Sequence, residues 1–412
     1  MLCDDLEIAS DGTVLKVNKN GCAKAKAGFE AATPAANPRI AGRDCSSAEA
    51  QRAVAEILKK ANHPHLGGLG TDVNGMRACL ALADRCGGVV DHNAGDGLQR
   101  NVNVLQQRGY FLTTLTEVRN RADLLILVGT DPGTTFPRFF ERIVWTAHTL
   151  DEETAKHRAV YAIGPTTPTG AEAADGRKPT WLDCPKANLP EVVGVLRCLL
   201  NGTRVEAQDI CGIPIAALRA LAERIKAARF VTFVWAPPEL DIPGADLAIT
   251  AITDILRDLN RTTRASGLVM GGSDGGLTAL NVTCWQTGYP LRVSFAKGWP
   301  EYSPDLFSCR RLLAAKAVDA LLWIWSFPSA IKPPAHDLPH VVLGLPGMAL
   351  DREPEVFIPV GTPGRDHEGR IIRADSVVTL RVRQVRDAGL PSVATVVGGI
   401  EAEYVKITQG VG

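Results

Sequence analysis

Leu124-Leu125-Ile126-Leu127-Val128, followed by Gly129-Thr130-Asp131-Pro132, is the stretch that decides the fold. Five apolar residues in a row, stopped by a glycine and a proline, predict a buried parallel strand that ends at the carboxyl edge of a sheet. Similar apolar runs, with helical periodicity between them, recur at 159–163, 230–235, 319–325 and 340–343. Strands that alternate with helices predict doubly wound α/β sheets, whose ligands collect at the loops after the strands.

The composition is that of an ordinary soluble globular protein. The 412 residues are 45% hydrophobic and 22% charged, and 45 Lys+Arg balance 45 Asp+Glu. A net charge of zero removes the electrostatic case for nucleic acid or anionic membranes. No apolar run is long enough to span a bilayer, and the acidic start Met1-Leu2-Cys3-Asp4-Asp5 lacks the cationic end of a secretory signal. We therefore expect a cytoplasmic protein.

The chain is long enough for two or three domains, and shifts in pattern suggest four segments. They are a small β-rich region over 1–45, a first α/β domain over 46–165, a second over 166–345 and C-terminal strands over 346–412 that complete the scaffold. Asp11-Gly12 predicts a hairpin in the first segment. In the last segment, Val377–Val382 and Val393–Val397 are predicted strands because both are rich in β-branched residues.

Histidine and cysteine spacing gives little support for a metal site. The ten cysteines include no C-x-x-C pair, so most are interpreted as small core side chains. His63-Pro64-His65 has the H-x-H spacing of some zinc sites, but its central residue is proline and its flank is predicted to be a loop. A structural role is favoured for the cysteines and for the two histidines.

Three polar or glycine-rich segments are candidates for ligand binding. Gly67-Gly68-Leu69-Gly70 and the segment 271–276 could hold an anion with backbone N–H groups, although neither matches a nucleotide motif and a tight turn is favoured. The segment Asp91-His92-Asn93-Ala94-Gly95-Asp96-Gly97 follows a predicted strand, and its Asp–His pair could act as a general base. It contains no Ser or Cys nucleophile.

Longer motifs carry a resemblance to a known family. They are Cys3-Asp4-Asp5-Leu6-Glu7 with Asn20-Gly21-Cys22-Ala23, then 127–138, and Trp285-Gln286-Thr287-Gly288-Tyr289-Pro290 continued through Phe295, Gly298, Pro300 and Tyr302-Ser303-Pro304. Over essentially the whole chain the sequence resembles the B subunit of formylmethanofuran dehydrogenase, a molybdopterin-type tungsten or molybdenum enzyme. The resemblance implies a molybdopterin-oxidoreductase-like scaffold of several doubly wound α/β domains with a small β-rich N-terminal region.

The departures from that family concern its redox residues. Cys3 and Cys22 are present, but the chain begins at Met1, so two of the four ligands that the family uses for a [4Fe–4S] cluster are expected to be missing. Gly97 and Leu98 fall where the family has a metal-binding Cys (or selenocysteine) followed by His. Gly271 and Ser273 fall where it has a catalytic Arg and His. We therefore expect no catalytic residue, cofactor site or metal site in this chain, with Cys3 and Cys22 vestigial.

A retained scaffold without redox residues is similar to the B-type subunit of the bacterial formyltransferase/hydrolase complex of methylotrophs. In that complex a formyl group passes from formyl-tetrahydromethanopterin to methanofuran or methylofuran and is hydrolysed to formate. The resemblance implies an amidohydrolase-like A subunit, a structural C subunit and a formyltransferase D subunit as partners, with the furan carrier and a metal held by those partners. This chain would then be a structural pseudoenzyme in one-carbon metabolism.

Two other interpretations stay open at the level of sequence. The chain could be a working molybdopterin or tungstopterin dehydrogenase subunit in which another ligand replaces the lost thiolate. It could also be a stand-alone protein that binds a pterin or a furan arm in the old cofactor cavity.

Overall fold

The computed structural model describes residues 2–271 and 273–410, and it divides the chain into two compact units. The first unit contains the segment up to Leu6, Lys19–Lys24 and Gly97–Gly271. The second contains Glu7–Asn18, Ala25–Asp96 and the segment from Ser273 onward. The four-segment division made from the sequence stays a prediction.

The strands of the described residues are, in chain order, β1 Glu7–Ser10, β2 Leu15–Lys19, β3 Arg39–Ile40, β4 Arg43–Asp44, β5 Pro64–Gly70, β6 Val89–Val90, β7 Leu124–Val128, β8 Ala159–Gly164, β9 Thr180–Asp183, β10 Asp209–Ile210, β11 Ile213–Pro214, β12 Phe230–Trp235, β13 Arg264–Val269, β14 Val293–Ser294, β15 Glu301–Tyr302, β16 Ala320–Trp325, β17 His340–Gly344, β18 Val356–Pro359, β19 Gly369–Ile372 and β20 Thr379–Val382.

The α-helices are α1 Ala23–Glu30, α2 Ser47–Lys60, α3 Val73–Cys86, α4 Gly95–Arg108, α5 Leu115–Arg121, α6 Pro132–Thr135, α7 Glu152–His157, α8 Leu189–Leu200, α9 Ile215–Ala227, α10 Ala245–Leu259, α11 Gly276–Thr287, α12 Cys309–Ala314 and α13 Val393–Gln409. Short 3-10 turns lie at Lys186–Asn188, Pro237–Glu239 and Ser273–Gly275, and Phe140–Val144 forms a π-helical turn.

The first unit is built on a five-stranded sheet of order β13-β12-β7-β8-β9, in which all neighbours are parallel. All five residues of β7 are buried, as the apolar run predicted. The chain adds strands on one side of β7 and later on the other, so the strand order reverses between β7 and β12. In open α/β sheets a ligand crevice forms beyond the carboxyl ends of the strands at such a reversal.

The second unit is built on a nine-stranded mixed sheet of order β15-β14-β6-β5-β16-β17-β18-β3-β4. Strands β6, β5, β16, β17 and β18 are parallel, and the pairs at both edges are antiparallel. Here the order reverses between β5 and β16. The predicted α/β class is therefore confirmed in each unit.

Three local predictions were wrong. Most cysteines are not core side chains, because only Cys79, Cys86 and Cys184 of the ten are buried. Val393–Val397 is the start of helix α13 and not a strand, because the Ser392 side chain accepts the Thr395 N–H and caps the helix. Val393, Val396, Val397 and Ile400 are its buried residues, at helical spacing. Gly67–Gly70 is also not a turn: it belongs to β5, which is buried throughout. A Cβ at Gly70 would lie 2.6 Å from the Trp325 ring, so the glycines admit bulky neighbours on β16.

Helix α13 packs on both α2 and α3 within the second unit. A capping box begins α2, in which Ser46 and Glu49 each accept the other's backbone N–H. Among the described residues, no helix is both long and apolar enough to cross a membrane.

Candidate functional site

Asp91 and His92 follow strand β6 directly, as the sequence predicted, but they do not form an acid–base pair. The Asp91 carboxylate accepts the Cys309 N–H at 2.9 Å, and the Arg292 Nε lies 3.5 Å from it. His92 turns instead to the backbone of its own loop and of Asp274. Both side chains are buried, with 2% of their surface exposed.

The hydrogen bonds of His92 leave its ring without a free lone pair. The Ala94 N–H donates to Nδ1 at 2.9 Å, and Nε2 is 3.3 Å from the Asp274 carbonyl oxygen, to which it donates. A neutral imidazole has one acceptor and one donor, and both are used here. Burial lowers the pKa of His92 to about 4. The ring therefore stays neutral at physiological pH and has no acceptor with which to take a proton from a substrate.

Asp91 belongs to a cluster of charges centred on Arg292, a residue that sequence reasoning missed. The Arg292 guanidinium contacts Asp91 and Asp96 and donates to the Pro304 carbonyl. Burial raises the pKa of Asp91 to about 6, while the Arg292 charge opposes that rise. Arg292 lies far from the loop in sequence, so the loop contained no signal for it.

A cavity of about 950 Å³ lies beside this loop in the second unit. Asp91, His92 and Cys309 line it, together with residues of 326–339, a connection between the parallel strands β16 and β17 that contains no helix. Burial and the nearby Asp91 raise the pKa of the Cys309 thiol to about 12. The thiol is therefore protonated and unreactive at neutral pH, so the cavity lacks an activated nucleophile at this position.

Gly97 and Gly271, two of the positions singled out from the sequence, lie against the same backbone segment in the first unit. A Cβ at Gly97 would lie 3.1 Å from the Pro237 carbonyl carbon and from the Pro238 nitrogen. A Cβ at Gly271 would lie 3.4 Å from the Pro237 Cδ. Arg100 donates to the Pro237 carbonyl at 3.0 Å and so holds this segment in place. Pro237 and Pro238 thus crowd the space that a side chain at Gly97 would need, whereas a Cβ at Gly271 would make only an ordinary van der Waals contact with Pro237.

Leu98 and Ser273 are the other two positions at which the family is expected to have functional side chains. Leu98 is a buried apolar side chain, 5% exposed. Gly272 and the Ser273 side chain lie outside the described residues; the Ser273 backbone forms the short turn before α11.

Cys3 and Cys22 both fall in the first unit, and the Cys22 thiol acts electrostatically on that of Cys3. Desolvation and this neighbour raise the pKa of Cys3, whereas a metal ligand must lose its proton. In the part of the chain that the structure describes, no three His, Cys, Asp or Glu residues come together in an arrangement that could hold a metal ion. The ligand set of a [4Fe–4S] cluster, which needs four thiolates, is not met by these two.

The H-x-H motif is part of the sheet. Pro64 and His65 belong to β5, and the His65 Nδ1 donates to the Val89 carbonyl at 3.1 Å. His63 bonds instead to the Ala317 carbonyl and the Ser294 hydroxyl. Three of the four ring nitrogens of His63 and His65 thus make separate structural hydrogen bonds. The fourth, the buried His65 Nε2, has no hydrogen-bond partner.

Glu239, in the turn after β12, binds the hydrogen-bond donors that follow β7. Its carboxylate accepts the Asp131 N–H at 2.8 Å and the Thr135 hydroxyl at 3.1 Å, directly after β7. A bound anion would use such donors at the carboxyl end of a strand. The chain supplies its own carboxylate there, from the turn that also contains Pro237 and Pro238. The Pro-Pro-Glu sequence directly after the strand Phe230–Trp235 is the sequence signal for this arrangement.

Comparison with known proteins finds relatives over most of the chain. The B subunit of the tungsten-containing formylmethanofuran dehydrogenase 2 of Methanocaldococcus jannaschii is 26% identical over 402 residues, covering 94% of this chain and 91% of that protein. The B subunit of the formyltransferase/hydrolase complex Fhc of Methylorubrum extorquens is 28% identical over 324 residues, 78% of this chain and 84% of that protein. Both proteins are homologues of this chain. The resemblance inferred from the motifs is confirmed.

Solved structures agree with the fold. A chain of the formyltransferase/hydrolase complex (FhcABCD) from Methylorubrum extorquens, solved with methylofuran, matches with a TM-score of 0.75 and 24% identity, covering 91% of this chain and all of that one. Acetylene hydratase from Pelobacter acetylenicus matches with a TM-score of 0.64 and 11% identity, covering 97% of this chain and 67% of that one. The predicted molybdopterin-oxidoreductase-type scaffold is thereby confirmed. No family model matches the chain.

Proposed function

We propose that this homologue of the two B-type chains is a non-catalytic, structural component of a formyltransferase/hydrolase complex. The complex would move a formyl group from formyl-tetrahydromethanopterin through methanofuran or methylofuran to formate. The other subunits would be amidohydrolase-like, formyltransferase and structural chains, and they would hold the furan carrier and the hydrolytic metal. The whole would work in the cytoplasm.

One observation carries the proposal. Two positions at which the family is expected to place functional side chains, Gly97 and Gly271, pack against Pro237 and Pro238. Glycine supplies no thiolate ligand at one position and no guanidinium at the other, and a side chain at Gly97 would also require this backbone segment to shift by a few tenths of an ångström. The residues present therefore do not fit a molybdenum or tungsten pterin centre, and Cys3 with Cys22 does not fit an iron–sulfur cluster.

The remaining polar groups support the same conclusion. His92 has both ring nitrogens engaged, and the pKa of Cys309 is raised to about 12 by burial. Glu239 binds the hydrogen-bond donors that follow β7. Each of these groups is committed to holding the fold, as expected of a protein that acts by binding its partners.

Copurification of the tagged full-length chain, followed by metal analysis, tests the proposal. We expect formyltransferase and amidohydrolase-like subunits to copurify. We also expect molybdenum and tungsten well below one atom per chain, and no visible absorbance that bleaches on reduction. Molybdenum or tungsten near one per chain would instead establish the rival interpretation, an active dehydrogenase subunit. A chain purified alone and monomeric from the native cell would contradict a role in a complex.

A further inference from the structure

The second unit leaves the aromatic side chains of its most specific motif in water. Trp285 is 59% exposed, Tyr289 40% and Trp299 61%. Trp323 and Trp325 of the same unit are each 1% exposed, so the fold can bury tryptophan where the core needs it. Exposed large aromatic residues are typical of protein–protein interfaces. We call Trp285, Tyr289 and Trp299 the aromatic surface.

The aromatic surface begins at the end of helix α11. Trp285 lies in the last turn, and the helix ends at Gly288, whose φ of 81° reverses the chain and whose N–H donates to the Cys284 carbonyl at 2.9 Å. The Tyr289 ring then stacks on Tyr302, with the ring centres 5.5 Å apart and the planes 8° from parallel. Side chains held in this way lose little conformational freedom when a partner binds.

Trp299 is presented by the connection between β14 and β15. Phe295, 5% exposed, anchors this connection in the core, and its N–H donates to the Gly88 carbonyl at 2.9 Å. Gly298 has a φ of 79°, and its N–H donates to the Phe295 carbonyl, also at 2.9 Å. The connection is thus a tight turn with its apolar anchor inside and its tryptophan outside.

Backbone strain lies between these two parts of the surface. Leu291 and Arg292 have φ values of 45° and 50°, in the left-handed region that residues with side chains rarely adopt. The contacts of the Arg292 guanidinium with Asp91, Asp96 and the Pro304 carbonyl hold this turn. Strain that the surrounding structure maintains is concentrated at functional sites. The loop that resembles a catalytic one, 91–96, here anchors a strained turn at the aromatic surface.

The charges around the surface indicate what it binds. Lys297 and Glu301, which flank Trp299, pair with each other at 2.9 Å and leave no net charge on the turn. A partner of strong charge would therefore gain little from this turn, whereas an apolar face would match Trp299. The matching face is therefore apolar and uncharged.

We propose that the aromatic surface docks an apolar face of another subunit of the formyltransferase/hydrolase complex. This inference rests on the proposed function, and it is supported by the likeness of 91% of this chain to a chain solved within the FhcABCD complex. The Asp91–Arg292–Asp96 cluster positions the surface, and Trp285 and Trp299 supply most of the binding energy, as central aromatic residues commonly do.

The test is to express the tagged full chain together with the other subunits and to measure how much of each is retained on washing. Trp285→Ala and Trp299→Ala should each weaken, about tenfold or more, the retention of one identified partner, and the double variant should lose it. Leu150→Ala is the matched control: Leu150 is 79% exposed but lies in the first unit, and its loss should change nothing. Retention by the wild-type chain should be nearly the same in low and high salt.

Hydrogen exchange in the peptide 291–304 shows whether the variants keep the local fold, because protection there should be unchanged. If the wild-type chain captures no partner chain, the proposed function fails. If the wild-type and double-variant chains capture the same partners equally, only the docking inference fails. It is also overturned if the double variant loses only self-association, which would make the occupant a second copy of this chain.

Discussion

Gly97 and His92, two residues that the proposal treats as non-catalytic, show how the immediate surroundings limit what a residue can do. Gly97 is buried in the first turns of α4 and faces the Pro237-Pro238 backbone. His92 lies just beyond a strand end, where active-site residues of α/β proteins collect, but both of its nitrogens are bonded to backbone groups. In each case the immediate surroundings, and not the residue type, decide what the position can do.

Gly97→Ala should destabilise the protein, although alanine is normally the better helix former. The added Cβ would lie 3.1 Å from two backbone atoms, and we expect a net loss of about 1–3 kcal/mol. Gly194→Ala is the control, because Gly194 lies in helix α8 with nothing within 4 Å of its Cβ position. It should stabilise by up to about 1 kcal/mol. Thermal unfolding of the purified complex measures both.

The larger side chain in Gly97→Cys should cost at least as much stability as the alanine, and should restore neither metal binding nor formate reduction. Two results would contradict this: measurable formate reduction by Gly97→Cys, or equal stability of the Gly97→Ala and Gly194→Ala proteins. Either would show that the backbone at Pro237 and Pro238 can move at little cost in free energy.

Acid should destabilise the second unit through its buried histidines. Burial lowers the pKa of His65 and His92 to about 4, below the usual value near 6.5, so both bind protons more readily when unfolded. The stability that they contribute is complete above about pH 6.5 and is lost as the pH falls towards 4, by roughly 3 kcal/mol for each.

Asp91 acts in the opposite direction over part of this range, because burial raises its pKa to about 6 and its protonation favours the folded state as the pH falls. His340 acts like the other two histidines, because burial lowers its pKa to about 4 as well, and three imidazoles against one carboxyl leave a net loss of stability in acid. Unfolding midpoints in urea at pH 7 and pH 5 measure it, and His92→Gln should flatten the difference. An equal pH dependence in wild type and variant would show that His92 contributes nothing.

At the scale of elements, loops and irregular turns determine what the two sheets can bind. The turn Pro237–Glu239 after β12 binds the hydrogen-bond donors that follow β7 in the first unit, while the helix-free connection 326–339 borders an open cavity in the second. Side chains also donate hydrogen bonds to the free backbone carbonyls at the ends of helices in the first unit. Arg158 is the clearest case, because its buried guanidinium donates only to backbone carbonyls.

Those carbonyls end α5 and the π-helical turn: Ala122 and Val144 accept at 2.6 Å, and Arg119 at 2.8 Å. Arg158→Lys should cost about 2–4 kcal/mol, because an ammonium cannot reach all the groups that a planar guanidinium satisfies. Arg204→Lys, at an arginine whose side chain is 85% exposed, should be nearly neutral. Denaturant unfolding distinguishes them, and equal midpoints would mean that water replaces the lost bonds.

At the scale of the whole molecule, the proposed role is to hold partners together. A formyl carrier must reach a transferase site and a hydrolase site on different subunits. Keeping both within reach of one tethered arm gives effective concentrations on the order of mM. A chain without catalytic residues can therefore control the flux of the complex.

Deleting this chain should consequently abolish coupled formate production by the complex, although the proposal assigns it no catalytic residue. The separate transferase and amidohydrolase-like subunits should keep partial activity on excess soluble carrier. Formate release from formyl-tetrahydromethanopterin, measured with and without this chain, is the readout. Normal assembly and turnover of the remaining subunits would refute the structural role.

The sequence by itself determined the class of fold and the family resemblance. Runs such as Leu124–Val128 and Phe230–Trp235 encode buried strands in consecutive residues, and the segment 285–304 is a long contiguous motif, so both can be read locally. Where a local pattern supports two structures, the prediction could fail. The valine-rich start of α13 has strand propensity, but its buried positions follow helical spacing once the helix packs on α2 and α3.

Only the tertiary structure decided the state of the site. Pro237 reaches Gly97, Arg292 reaches Asp91, and the Asp274 carbonyl accepts the His92 Nε2–H, each across a long separation in sequence. The space beside a glycine and the partners of a buried charge depend on which distant segments the folded sheets bring together. Propensity and periodicity describe neighbours along the chain, and they contain no information about those contacts.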